Sequence, residues 1–125
     1  MHRSRLCAIM IDCPPETMAA STRFWSAALG AIPIHSGDAT DPYVALDGAL
    51  GELRLELQQV DDQPRIHLDI ETDDVEAEVR RLEQAGAQRH AQIESWWVLR
   101  DPSGHLFCVV PPQSADFEQT ARVWD

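Results

Sequence analysis

Two extended stretches of this chain carry the side chains best suited to chemistry. In "RIHLDIE" (65–71), His67 and Asp69 stand two residues apart, so on a strand both point to the same face. An imidazole beside a carboxylate is an arrangement for general base catalysis, with enolisation or epimerisation next to a carbonyl as the natural reaction. In "WVLRDPSGHLFCVV" (97–110), Cys108 lies in the second of two strands. A thiol there acts as a nucleophile if a neighbouring histidine or arginine lowers its pKa, and otherwise packs as a small hydrophobe. His67, Cys108 and Asp69 are therefore the candidate catalytic residues.

Whether these residues meet depends on the elements that carry them. "ELRLELQQV" alternates Leu53, Leu55 and Leu57 against Arg54, Glu56 and Gln58, a period of two that predicts a strand with one buried face. "RIHLDIE" alternates Ile66, Leu68 and Ile70 against Arg65, His67, Asp69 and Glu71 in the same way. Two helices are predicted. "ETMAASTRFWSAALG" has a stripe of Met18, Ser21, Trp25 and Ala28 and ends at Gly30, a residue that tolerates the left-handed conformation. "DDVEAEVRRLEQAGA" has Asp73 or Asp74 as its cap, a stripe of Val75, Val79 and Leu82, and Gly86 at its end. Each helix follows an apolar strand and precedes three extended pieces.

The chain is thus a duplicated β-α-β-β-β unit in one domain, 1–125, of α+β class. Module 1 covers about 5–60, module 2 about 64–111, and a tail 112–125 holds one helical turn near "FEQTARVW". Two helices and about eight strands result. The leucine and isoleucine faces belong under the helices, which leaves the polar faces to line whatever concavity the sheet makes. A four-residue turn at "DPSG" pairs Arg100 with His105 and Trp97 with Cys108. That register puts Trp97, Leu99, Leu106, Cys108 and Val110 on the concave side, and Trp96, Val98, Phe107 and Val109 against the helix.

Composition narrows the function. The formal net charge is -11, with ten arginines and no lysine; such a surface repels phosphate backbones and anionic lipid, which argues against nucleic-acid and membrane-surface partners. The apolar run from Leu6 to Ile11 is stopped by Asp12 and Pro14, too short to span a bilayer or serve as a signal segment. Three cysteines without CxxC spacing suggest neither a disulfide framework nor a zinc knuckle. A reduced, cytoplasmic setting is expected.

"FWSAALG", "HLDIETDDVEAEVRRLEQAGA" and "WVLRDPSGHLFCVV" together resemble the vicinal oxygen chelate superfamily, and within it the glyoxalase-like members of actinobacteria. The resemblance covers nearly the whole chain. It implies two paired modules forming a cupped mixed sheet with helices on the convex side. It also implies a divalent metal held by one inward residue from the first and last strand of each module.

Residue by residue the carry-over is incomplete. His67 matches the histidine of the second module, whereas the first-module position falls near Ala8. The last strand of the first module offers Glu56 or Gln58. Its counterpart in the second, normally a carboxylate, is Cys108. The candidate metal set is His67, Glu56 and Cys108, suited to zinc better than to magnesium, manganese or nickel, and the histidine pair and carboxylate of an iron dioxygenase are not there.

The reading is of a small-molecule-binding protein with a degenerate metal site. A metal-dependent lyase or isomerase acting on a small carbonyl compound, and an antibiotic-sequestering protein of the bleomycin-resistance type, are the alternatives. Met10, Tyr43, Trp97, Leu99 and Leu106 would form an apolar floor, with Arg54, Glu56, Gln58, Arg65 and Asp69 orienting polar groups. The resemblance further implies a homodimer. A scaffold domain with an empty cup is the third class.

Overall fold

A computed structural model describes residues 1–125. The chain is an α+β protein that divides into two compact units, Ala8–His67 and Met1–Cys7 with Leu68–Asp125. Strands β1 (His2–Cys13) and β5 (Arg65–Thr72) each contribute residues to both. No helix is long and apolar enough to cross a membrane.

In the Ala8–His67 unit, α1 (Met18–Leu29) follows β1, and β2 (Ile32–Ile34), β3 (Tyr43–Asp47) and β4 (Arg54–Gln59) complete the module. Strand β1 runs parallel to β4, with Ala8 opposite Arg54 and Asp12 opposite Gln58. Such a pair needs a crossover, which α1 supplies. Leu55 and Leu57 are buried with Cys13, Ala31 and Leu46, and Met18 and Trp25 of α1 pack on them. The alternation in the sequence therefore assigns the faces of β4 correctly. The buried line of α1 runs through Thr22 rather than Ser21, and Ala28 is exposed. Thr22 tolerates burial because its hydroxyl donates to the Met18 carbonyl at 2.8 Å. Gly30 ends the helix at φ 64°, as its place in the sequence predicts.

The other unit repeats the plan. Helix α2 (Val75–Ala85) follows β5, and β6 (Gln88–Ile93), β7 (Trp96–Arg100) and β8 (Leu106–Val110) come after it. Strand β5 pairs parallel with β8, placing Asp69 opposite Cys108. Asp74 is the cap, accepting from the Ala77 N–H at 3.0 Å. Val75 and Leu82 of α2 pack on a buried cluster of Val79, Leu99 and Val109. The tail holds α3 (Phe117–Thr120) and a ninth strand, β9 (Arg122–Trp124), which pairs antiparallel with the start of β1. Its three residues are too few to show periodicity in the sequence.

The β7–β8 hairpin corrects one expectation. Arg100 pairs with Leu106, Leu99 with Phe107, Val98 with Cys108 and Trp97 with Val109. The connection holds five residues, because Asp101 organises it. Its carboxylate accepts from the N–H groups of Ser103 and His105 at 2.9 and 2.8 Å, while its own N–H donates to the His105 carbonyl at 2.9 Å. One residue of slip reverses the face of a strand. Trp97 and Leu99 consequently pack with Val109, on the α2 side, and it is Val98 that faces the way Cys108 does. Cys108 keeps its predicted side, shared with Asp69.

Candidate functional site

The best-defined polar constellation in the Ala8–His67 unit forms where β1 ends and β5 begins. Asp12 is the last even-numbered residue of β1, on the face opposite Ile9 and Ile11, which pack into the apolar cluster. Its carboxylate is 2% exposed. Oδ2 lies 2.9 Å from His67 Nδ1 and 3.5 Å from Arg65 Nε. Oδ1 is buried with no hydrogen-bond partner.

An ionised carboxylate this deep costs several kcal/mol of lost hydration, about that much per ion, unless charged or N–H partners compensate. The imidazole and the guanidinium do so on one oxygen only. With its Nδ1 tied to a carboxylate, an imidazole is fixed in rotation and tautomer. Arg65 also reaches Asp62 at 3.7 Å, an exposed contact of small energetic weight.

The other candidates of this unit lie along the helix-free face of β3 and β4. Tyr43 stands opposite Gln58 and Ala45 opposite Glu56. The Gln58 amide donates to the Tyr43 hydroxyl at 3.4 Å, and Arg54 Nη1 is 3.9 Å from Glu56. Arg54 Nε is a second buried group with no partner. Met10, opposite Glu56 on β1, is 2% exposed, so it is a buried residue of this face rather than an open floor. In the other unit, Asp69 and Cys108 face each other in register, and Leu106 is half-buried two residues before Cys108. Trp97 is held in the α2 layer, with the Arg89 guanidinium 4.9 Å from its ring centroid; with Leu99 it stands apart from the face of Asp69 and Cys108.

The profile of the glyoxalase-like domain matches residues 8–110. This chain belongs to that family. The glyoxalase-like domain is a member of the vicinal oxygen chelate superfamily, as are its structural neighbours. No curated protein matches it in sequence.

Methylmalonyl-CoA epimerase from Mycobacterium tuberculosis is 17% identical, with 86% of this chain and 88% of that one aligned at a TM-score of 0.54. The Mn(II)-bound glyoxalase from Novosphingobium aromaticivorans is 18% identical over 92% of this chain and 44% of that one, with a TM-score of 0.56. The 2,2',3-trihydroxybiphenyl 1,2-dioxygenase from Sphingomonas wittichii strain RW1 is 14% identical over 89% and 42%, also at 0.56. At such identities the likeness carries the fold alone.

Asp12 is not among the candidate residues that the sequence offers, where it marks only the end of an apolar run. The signal was present. "AIMID" places Ala8, Met10 and Asp12 on one face, so the strand with no ligand at Ala8 brings a carboxylate four residues later on the same side.

Proposed function

We propose that this glyoxalase-like domain binds a small polar carbonyl compound at His67 and moves a proton on it, with Asp12 as the positioning carboxylate. The observation that carries this reading is the 2.9 Å contact between His67 Nδ1 and the buried Asp12 Oδ2. In the proposed step His67 Nε2 accepts the proton α to the carbonyl and Asp12 stabilises the imidazolium that forms. The enolate is reprotonated on the same face by that imidazolium, or on the opposite face by solvent water, to which the imidazolium then gives up its proton. Arg65, half-exposed beside Asp12, supplies a cation for an anionic substituent of the substrate. An isomerase or epimerase follows from that step. The protein acts as a cytoplasmic homodimer in this reading, which sedimentation velocity checks.

Zinc is the second reading, supported by the donor types on β5 and β8. His67 and Asp69 alternate onto one face of β5, and Asp69 stands across from Cys108. Imidazole, carboxylate and thiolate are all zinc donors. Glu56, the further member of the ligand set expected from sequence, lies 3.9 Å from Arg54 Nη1. A bound zinc would polarise the carbonyl oxygen of the substrate.

The test is hydrogen exchange. Acyl thioesters with a stereocentre at the α carbon, and 2-oxo and 2-hydroxy acids, are incubated with protein in D2O and followed by proton NMR. Wild type is expected to exchange the α proton of at least one class, with His67→Ala slower by about 100-fold or more. Exchange unchanged in His67→Ala would overturn the reading. Elemental analysis of untagged protein separates the two versions: stoichiometric zinc lost in His67→Ala favours the metal, and its absence the metal-free base.

A further inference from the structure

Strand β5 has a second face, and in the Met1–Cys7 and Leu68–Asp125 unit it borders a cavity of about 520 Å³. Leu6, Leu68, Ile70 and Phe107 supply its apolar wall, and Trp124 of β9 stands at its edge. By strand alternation Leu68 and Ile70 point away from the side of Asp69, so this cavity is separate from the proposed proton-transfer site. Its size falls within the range that holds metabolite-sized ligands, about 300–1,000 Å³. Two of its wall residues, Leu6 and Leu68, are each 43% exposed, an apolar surface that a ligand would cover.

The charges at its border decide what kind of ligand. Both bordering carboxylates are consumed internally. Glu78 accepts from Ser4 Oγ at 2.7 Å and from Arg81 at 2.8 and 2.9 Å, and its Oε1 contacts His2 Nε2 at 2.8 Å. Asp101 is occupied by the N–H groups of Ser103 and His105 and by the His105 ring. Two of the three arginines are likewise spent: Arg81 on Glu78, and Arg5 on Glu71 and Asp116. Arg122 is the exception. It is exposed, faces the Trp124 ring at 5.1 Å, and pairs with no carboxylate. The chain's net charge of -11 does not cancel this local cation, because charges beyond about 8 Å are screened at physiological salt.

An apolar cavity with one uncompensated guanidinium at its mouth matches an apolar body that ends in a single negative charge. We propose that this cavity is a second binding site, for an aromatic or branched apolar monocarboxylate whose carboxylate is held by Arg122 and whose body lies against Leu6, Leu68, Ile70 and Phe107. The indole N–H of Trp124 donates to Ser4 Oγ at 2.9 Å, which makes it a built-in reporter at the cavity edge.

The experiment titrates the full chain with 2-naphthoate and with its neutral analogue 2-naphthalenemethanol. It follows the Trp124 indole cross-peak, assigned through Trp124→Phe, and measures affinity by calorimetry. The expected result is a Trp124 shift with both, with the carboxylate bound at least about tenfold more tightly. Arg122→Gln is expected to erase that preference and leave the alcohol's affinity unchanged, while Leu68→Arg abolishes both. Equal affinity for the two probes, or an unchanged preference in Arg122→Gln, would overturn the proposal. So would a response at the His67 ring without one at Trp124. A dimer that Leu68→Arg dissociates and 2-naphthoate leaves intact would assign the surface to a second copy of the chain and overturn it as well.

Discussion

Each unit buries carboxylates, and they are treated in opposite ways. Glu71 of β5 is fully buried, yet its two oxygens accept from Arg5 Nε, the N–H groups of Gln113 and Ser114, and Ser114 Oγ, all between 2.6 and 2.9 Å. Glu78 of α2 is as deep and as completely partnered. Burial alone would raise their pKa values. The hydrogen bonds from Arg5 and the 113–114 backbone, and from Arg81, His2 and Ser4, outweigh it and hold both below the ordinary glutamate value of 4.5. Asp12 in the other unit has one oxygen engaged and one without a partner. A saturated buried acid fastens structure: Glu71 ties the tail to β1 and β5, and Glu78 ties α2 to the start of β1. A half-satisfied one beside a histidine is the arrangement on which the proposed proton transfer rests.

Isosteric amides sharpen this contrast. Glu71→Gln turns an oxygen that accepts into an NH2 that faces other donors. It is expected to lower unfolding free energy by about 3 kcal/mol, the cost of breaking a buried charged network from one side. Urea unfolding measures it. A loss as small as that of a surface substitution would mean the tail is not fastened through Glu71.

The acid response comes next in size. Because Glu71 and Glu78 have lowered pKa values when folded, the unfolded chain takes up their protons first. Their contribution is complete above the ordinary value and is lost as pH falls through the folded values. Stability should therefore drop below about pH 4.5, and Glu71→Gln should flatten that drop. An unchanged slope in the variant would contradict the assignment.

Asp12→Asn is expected to have the smallest effect on stability, under about 1 kcal/mol, since the amide oxygen still accepts from His67 and the orphaned position has little to lose. The same substitution should slow α-proton exchange in parallel with His67→Ala. A large stability loss with exchange intact would place Asp12 with Glu71 and Glu78 and remove the contrast.

These three acids also mark how far the sequence can be read. Period-two alternation in 53–58 placed Leu55 and Leu57 under α1, whereas on β5 Ile66 and Leu68 are 64% and 43% exposed rather than covered by a helix. The glycines and acidic cap bounded α1 and α2, because those features are set by local geometry. The shared face of His67 and Asp69 followed from the same rule, whereas the side of Cys108 was argued from a hairpin register that the structure replaces. What escaped depended on contacts far along the chain or on a single residue of loop length. Glu78 sits within the spacing of the α2 stripe, between Val75 and Val79, and is buried only because His2, Ser4 and Arg81 receive it. Asp12 meets His67 across 55 residues. Trp97 and Leu99 were sent to the wrong face by a turn one residue longer than "DPSG", fixed by the Asp101 side chain.

The most direct test of the central claim is the tautomer of His67, read from the long-range proton–nitrogen NMR correlations of its ring in wild type and in Asp12→Asn. With Nδ1 donating to Asp12, the neutral ring should carry its proton on Nδ1, and Asp12→Asn should weaken that preference. A neutral His67 protonated on Nε2, or a pattern indifferent to Asp12→Asn, would contradict the claim that Asp12 prepares this histidine for proton transfer.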